Sequence, residues 1–382
     1  MIVIKEKKEC CGCSACASVC PHDAIEMKVD DEGFVYPDVD VHSCVDCKAC
    51  EKVCPLRANY VPVQTDFPKV FAAVNKDETE YNASSSGGMF MLIAREIMKH
   101  GGVAFGSRYD ADFRVVHSLA EDMVGCARFQ GSKYTQSDTI GVYPKVRQFL
   151  KEGRKVLFTG TPCQVAGLRL YLKKEYENLF CCDLICHGVT SPSIYADYLN
   201  FVSQNKKIAR INFKYKIKGK DRTTLRIDYS DGTSIQDCLK TRVWNELQFS
   251  GCIERPSCYD CKFTNFHRPG DISLGDFWGL NKLHSNFCKG KCPSLVILNT
   301  NKGLEMWQRV DEQVLSMESN MTECLQPQLI HPTVMADNRV QFWQDYLDYG
   351  FSYIACHYAH YNWPNRIKEL VKQISPKSLY VL

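Results

Sequence analysis

The stretch ECCGCSACASVCP, residues 9–21, is followed by a near-copy, SCVDCKACEKVCP, at residues 43–55. Each of the four repeated cysteines lies 34 residues before its counterpart, and the proline that closes the run repeats with them. Both copies read C-x2-C-x2-C-x3-C-P, a spacing in which the fourth cysteine of each run ligates the cluster of the other run. The spacing therefore predicts two 4Fe–4S clusters in the first 60 residues.

The crossed ligation divides the eight repeated cysteines into two predicted sets. The first cluster takes Cys10, Cys13, Cys16 and Cys54, and the second takes Cys44, Cys47, Cys50 and Cys20. A pair of zinc sites is the alternative, because C-x2-C also suits tetrahedral zinc, but duplicated four-cysteine runs with a terminal proline favour iron–sulfur clusters. Cys11 is the ninth cysteine of this segment, and its position predicts a buried residue that is not a ligand.

The composition predicts a cytoplasmic protein of two or three units. The chain has 382 residues and a formal net charge of +3, and we find no apolar run of the length that spans a membrane. Its 22 cysteines indicate metal or redox chemistry, because the cytosol keeps thiols reduced. The one basic cluster, residues 206–222, alternates basic and apolar residues, which favours a strand with a solvated face over a nucleic-acid surface.

Beyond a proline-bearing linker at residues 60–69, strand and helix patterns alternate. Strands are predicted at 70–74, 102–107, 155–160 and 179–186, and helices at 88–101, 143–153 and 163–174. The predicted fold is a multidomain α+β and α/β protein, in which a two-cluster ferredoxin fold precedes an α/β core and a cysteine-rich C-terminal part. The predicted domains are 1–60, 68–238 and 239–382.

Two segments have the composition of an anion-binding loop. SSSGGMF, residues 84–90, precedes a predicted helix, so its hydroxyls can cap the helix amides and its glycines can admit a ligand close to the backbone. GSKYTQS, residues 131–137, adds glycine, hydroxyls and the cation of Lys133. A serine-capped helix with no ligand is the alternative for the first segment.

A third metal site is predicted from the remaining cysteines. Cys258 and Cys261 form a C-x2-C pair that needs two distant ligands, and Cys163 and Cys186 lie at predicted strand ends. In TGTPCQ, Thr161 and Pro162 predict a helix start, whose dipole is expected to lower the pKa of the Cys163 thiol. Cys252 competes for one position, whereas Cys181 and Cys182 fall inside a strand and are expected to pack in the core.

Seven motifs occur in one order along the chain: CCGCSAC…CP, SSSGGMF, GSKYTQS, FTGTPCQVAGL, DLICHGVTSP, RPSCYDCKF and DISLGDFWG. Together, over roughly residues 9–300, they resemble the coenzyme F-420 hydrogenase/dehydrogenase beta-subunit family, particularly its bacterial members with a fused ferredoxin domain. The resemblance implies a flavin bound to the α/β core, with FAD favoured over FMN, and a third 4Fe–4S cluster beside it. It implies flavin contacts at Ser85, Ser86, Gly87, Gly88, Ser132, Lys133 and Tyr134.

The resemblance also suggests that Asp276 and Trp278 border the flavin, with a purely supporting turn as the alternative. His187, next to Cys186, is a candidate proton donor by position, with a structural histidine as the alternative. The chain departs from the family pattern at residues 287–300, where Cys288 and Cys292 are expected to be incidental, with extra ligands or a redox pair as the alternatives.

The predicted function is an iron–sulfur flavoprotein oxidoreductase that couples one-electron carriers to a two-electron substrate, of which deazaflavin coenzyme F-420 is one candidate. The expected partners are a small-molecule substrate and a redox protein, such as ferredoxin or another oxidoreductase. Neither nucleic acid nor a membrane span is expected. The alternatives are a non-catalytic electron-transfer subunit and an iron–sulfur redox sensor.

Overall fold

The two cysteine loops at the N-terminus fold alike because the repeat extends to backbone conformation. Gly12 and its counterpart Asp46 have φ values of 67° and 52°, and Ser14 and Lys48 have φ values of 59° and 61°. These left-handed residues turn the chain so that successive cysteines point towards one centre. Each loop then enters a single helical turn. The repeat read from the sequence is therefore also a structural repeat.

The computed structural model describes residues 1–62, 64–65, 68–217 and 222–374. Residues 63, 66 and 67 of the predicted linker lie outside the described residues, as do residues 218–221 and 375–382 of the predicted domains. No helix in the described ranges combines the length and apolar character needed to cross a membrane.

The strands of the described residues are β1 (Ile25–Val29), β2 (Val35–Val39), β3 (Lys69–Asn75), β4 (Val103–Tyr109), β5 (Val115–Ala120), β6 (Val156–Gly160), β7 (Leu179–Leu184), β8 (Ile208–Lys216), β9 (Thr223–Tyr229), β10 (Ser234–Gln236), β11 (Ile272–Asp276), β12 (Ser294–Leu298) and β13 (Val314–Ser319).

The α-helices of the same ranges are α1 (Ala15–Val19), α2 (Ala49–Lys52), α3 (Glu78–Ala83), α4 (Met89–Met98), α5 (Met123–Ala127), α6 (Val142–Lys151), α7 (Pro162–Leu172), α8 (Pro192–Ser203), α9 (Leu239–Gln248), α10 (Leu280–Leu283), α11 (Asn301–Val310), α12 (Arg339–His357) and α13 (Trp363–Ile374).

An eight-stranded mixed sheet forms the centre of the molecule, in the order β13-β3-β12-β11-β7-β6-β4-β5. Its middle strands β4, β6, β7 and β11 are parallel neighbours, and β12 runs antiparallel to both β11 and β3. The carboxyl ends of β3, β6, β7 and β11 therefore meet at one edge, together with the start of β12. Ligands bind at such an edge in open α/β sheets.

Helices cover both faces of this sheet. Apolar side chains of α4 and α11 pack with the sheet in one core cluster, and those of α6 and α7 pack in another. The second cluster includes Cys11, Cys13, Ala15 and Val53, so the N-terminal unit lies directly against α6 and α7. The smaller sheet β10-β9-β8 packs with α8, α9 and α12 in a separate cluster.

The predicted boundary between residues 238 and 239 does not coincide with a boundary of the sheet. Strands β11, β12 and β13 come from the C-terminal part of the chain and pair with β7 and β3 of the preceding part. Because these pairings join residues at least 90 positions apart, the local pattern of the sequence does not reveal them. The core and the C-terminal part share one sheet.

Candidate metal centres and adjoining site

The N-terminal unit places the eight repeated cysteines in the two predicted sets. Cys20, Cys44, Cys47 and Cys50 line one cavity. In the other set, Cys16 has the thiols of Cys10 and Cys54 among its nearest charged neighbours, and burial raises its pKa to about 12. The donor chemistry and the grouping fit two clusters.

Three cysteine-bearing segments converge on a further cavity. Cys163 follows β6 in the first turn of α7, Cys186 follows β7, and the third segment carries Cys258 and Cys261. All four predicted ligands line this cavity. Because β6 and β7 are parallel neighbours, their carboxyl ends bring Cys163 and Cys186 to the same edge of the sheet. We call these residues the third cysteine group.

Cys11 also lines this cavity. It is buried, as predicted, and its thiol is a close neighbour of the Cys163 thiol. Cys11 therefore lies between the first N-terminal set and the third cysteine group. Its position next to Cys10 in the sequence is the signal that could have suggested this location. Cys252, the competing ligand, instead directs its thiol towards Asn338 and Ser250.

The helix start at Cys163 is confirmed, whereas the expected pKa is wrong. Thr161 caps α7 in a reciprocal arrangement with Gln164, and Pro162 is the first helical residue. The pKa of the Cys163 thiol is nevertheless raised, first by the neighbouring Cys11 thiol and then by burial. A buried thiol of this kind is stabilised as a thiolate by a cationic metal partner.

No group of three His, Cys, Asp or Glu side chains within the described ranges is placed to hold a metal ion. The cysteines surround cavities instead of meeting at a point, and four thiolates around a 4Fe–4S cube are likewise held apart by the cube. Cys181 and Cys182 are buried in β7, in agreement with their predicted packing role.

Beside the third cysteine group, the two predicted anion-binding segments contact each other. The Ser85 hydroxyl accepts a 2.6 Å hydrogen bond from the Ser132 amide and lies 2.9 Å from its hydroxyl. The hydroxyls of Ser86 and Ser294 are 2.8 Å apart. These serines join loops and do not cap α4, which begins after Gly88 without a side-chain cap. The amides at the start of α4 therefore lack the serine caps that the sequence predicted.

Gly87 packs closely against the large sheet. A Cβ atom at this position would overlap the carbonyl oxygen of Ala73 in β3, so the glycine permits close packing of the loop on the sheet. Its amide donates to the Ser294 hydroxyl at 2.8 Å, and its carbonyl accepts from the Asn75 amide at 2.7 Å. Gly88, with φ of 85°, provides the left-handed turn into the helix.

Lysines from two segments lie near this edge. The Lys133 ammonium donates to the carbonyls of residues 128–131, so it ends the turn after α5. Two lysines of β8 reach the edge instead. Lys214 forms an ion pair with Asp276, and Lys216 donates to the carbonyls of Tyr81 and Ser86. Burial lowers the pKa of Lys216 to about 7.

His187, the candidate proton donor, and Asp276, the predicted neighbour of the flavin, are both half-buried. The His187 ring lies 4.8 Å from the Trp278 ring, and burial, followed by the charge of Lys214, lowers the pKa of His187 to about 4. The imidazole is therefore neutral at pH 7. Asp276 ends β11 and faces Lys214.

A cavity of about 380 Å³ opens next to His187 and Tyr134. Gly188 and Thr333 line both this cavity and the one around the third cysteine group. Glu254 is a further lining residue, and burial raises the pKa of its carboxyl to about 7. The Tyr259 hydroxyl lies 3.0 Å from this carboxyl. A ligand in this cavity would lie close to the cysteines.

Sequence reasoning missed Lys214, Lys216, Ser294 and Glu254. The basic segment was assigned a solvated face, and β8 confirms the strand. This strand packs over the edge of the large sheet and so partly buries two of its lysines. The alternation of basic and apolar residues along the sequence does not show this packing.

Two family descriptions match the chain. The 4Fe-4S dicluster domain matches residues 9–58, and the C terminus of the coenzyme F420 hydrogenase/dehydrogenase beta subunit matches residues 153–323. A comparison with curated proteins finds no match. The solved structures that match include a chain from a structure of the F420-reducing NiFe hydrogenase complex of Methanosarcina barkeri, which was derivatized with xenon. It is 16% identical, the match covers 77% of this chain and 92% of that chain, and the TM-score is 0.47.

The family match spans Cys163, Cys186, Cys258 and Cys261, and the dicluster match spans both N-terminal sets. Residues 153–323 of this chain therefore match the C-terminal region of the coenzyme F420 hydrogenase/dehydrogenase beta-subunit family, and a 4Fe–4S dicluster domain precedes that region.

Proposed function

We propose that this protein is an iron–sulfur flavoprotein oxidoreductase that links a one-electron redox partner to a two-electron small-molecule substrate. The observation that carries the proposal is the position of the third cysteine group. It lies between the first N-terminal set, through Cys11, and the edge of the sheet where the two predicted flavin-binding segments meet.

Three groups of residues would hold the cofactors. The N-terminal sets would each bind a 4Fe–4S cluster, and Cys163, Cys186, Cys258 and Cys261 would bind a third. A flavin, with FAD preferred over FMN, would lie at the edge of the sheet near Ser86, Tyr134 and Lys216. When bound, these cofactors exchange single electrons at the clusters and either one or two electrons at the flavin.

The side chains at the edge of the sheet suit this task. Lys214 and Lys216 supply positive charge in a half-buried site, where it is screened less than in water. The ion pair with Asp276 orients Lys214, and the His187 ring packs against the partly exposed Trp278 ring. The neutral His187 ring can donate one hydrogen bond while it stays uncharged.

The adjoining cavity of about 380 Å³ is our candidate for the substrate site, because it shares Gly188 and Thr333 with the wall of the third cysteine group. Deazaflavin coenzyme F-420 is the first substrate to examine. A ferredoxin or another oxidoreductase would approach the second N-terminal set, where Cys47 is exposed. The exposed Cys47 is equally compatible with the alternative function, an electron-transfer subunit. Such a subunit would turn over no substrate without its partner enzyme.

The Cys258→Ala variant tests the third cluster. We expect it to lose about four irons per chain and to keep the two N-terminal clusters. Cys182→Ala is the control, because this cysteine is buried inside β7 and is not a predicted ligand. Iron and sulfide analysis of anaerobically purified protein, with electron paramagnetic resonance (EPR) spectra after reduction, is the measurement. Full iron in Cys258→Ala would contradict the proposal.

A further inference from the structure

Arg255 lies at the contact between the N-terminal unit and the rest of the protein. The side chain is 0% exposed and donates to three neutral acceptors. Its Nε donates to the carbonyl of Cys10 at 2.6 Å, and its two terminal nitrogens donate to the carbonyl of Val35 and the Gln136 side chain, both at 2.8 Å. The guanidinium carbon lies 4.3 Å from the centre of the Tyr36 ring.

The same residue is joined to the third cysteine group. Its carbonyl accepts a 2.8 Å hydrogen bond from the amide of Cys258, three residues further on. Gln136, which Arg255 contacts, donates from its side chain to the carbonyl of Cys11 at 2.9 Å. Arg255 therefore contacts a predicted ligand of the first cluster through its side chain and one of the third cluster through its backbone.

The charge of Arg255 has no carboxylate partner at ion-pair distance in the described part of the chain. Arg268, which is also fully buried, differs in this respect because it pairs with Asp183, and the largely buried Arg169 pairs with Asp271. Buried charges are normally paired, because an uncompensated one is costly to remove from water. The charged neighbours of Arg255 are the thiols of Cys10, Cys11 and Cys258, together with Tyr36. Its missing counter-ion is therefore to be sought among the cysteine sites.

We propose that Arg255 is the shared counter-cation of the first N-terminal cluster and the third cluster, and that it raises the reduction potentials of both. The inference rests on the proposed function, because it requires the third cluster. A fixed cation stabilises the more negative, reduced state of a nearby cluster. One guanidinium beside both sites therefore favours the arrival of an electron at either of them.

The test is an EPR-monitored redox titration of the anaerobic holoprotein and of Arg255→Gln. We expect the reduction equilibrium constants of the first and third clusters to fall about tenfold in the variant, or about 59 mV for a one-electron couple. The second cluster, which Arg255 does not contact, should keep its potential. A Cys258→Ala sample identifies the signals of the third cluster.

Two further variants make the result decisive. Arg255→Lys keeps the charge but loses the planar set of donors, so its potentials should stay near wild type. If Arg255→Gln loses iron, the iron content of Arg255→Lys shows whether the clusters require a positive charge at this position. Arg57→Gln is the matched control, because Arg57 lies near Cys54 of the first cluster but is partly exposed and paired with Glu9. Its potentials should change little.

Unchanged potentials in Arg255→Gln with full iron would overturn the inference, as would a shift in Arg255→Lys equal to that in Arg255→Gln. A wild-type protein without a third cluster is a different result. It would refute the proposed function, whereas the first cluster would still report on Arg255.

Discussion

Lys216 is a side chain at the edge of the sheet whose charge is strongly affected by burial. Its ammonium lies 3.4 Å from the centre of the Tyr81 ring and donates to the carbonyls of Tyr81 and Ser86. Burial lowers its pKa to about 7, although the nearby Cys292 and Glu78 act in the opposite direction. An anionic ligand would favour the protonated form and raise this pKa.

The Lys216→Gln variant should therefore bind flavin about tenfold more weakly, as expected for the loss of a charged hydrogen-bond donor. In the wild-type protein, binding requires a protonated lysine, so affinity should fall as the pH rises above about 7. The measurement is titration of flavin into flavin-depleted protein between pH 6 and pH 9. Arg210→Gln, an exposed change on the same strand, is the control. Equal affinities for the two variants would contradict this role of Lys216.

At the scale of elements, the sequence predicted four of the eight strands of the large sheet, β3, β4, β6 and β7, and the helices α4, α6 and α7, to within a few residues. Helix α7 begins where Thr161 and Pro162 indicated. These signals are local, since caps, turns and periodicity act over a few residues. The pairing of β12 with β3 is not local, and it places Ser294 against Ser86 and Gly87.

The loop before α4 tests this long-range pairing. Gly87→Ala would force a Cβ atom against the carbonyl of Ala73, and we expect a loss of about 1–3 kcal/mol in the free energy of unfolding. The melting temperature should therefore fall by several degrees. Ser86→Ala, which removes one hydroxyl contact from the same loop, should cost about 1 kcal/mol or less. Thermal melting of both anaerobic holoproteins gives the comparison. A Gly87→Ala protein at least as stable as Ser86→Ala would show that the loop does not pack as described.

At the scale of the whole molecule, the cysteines lie along a route from the surface to the edge of the sheet. The second N-terminal set includes the exposed Cys47, the first set is buried, and Cys11 leads to the third cysteine group. The sequence predicted the cysteine sets because ligand spacing is a local property. It did not predict Arg255 as the connection, because that contact joins residues 245 positions apart.

The central claim is that one chain carries three clusters and a flavin. The most direct test is the iron, sulfide and flavin content of anaerobically purified protein, with visible spectra before and after dithionite. We predict about twelve irons and one flavin per chain, with bleaching of both chromophores on reduction. About eight irons and no flavin would contradict the account, and would leave an electron-transfer subunit with two N-terminal clusters.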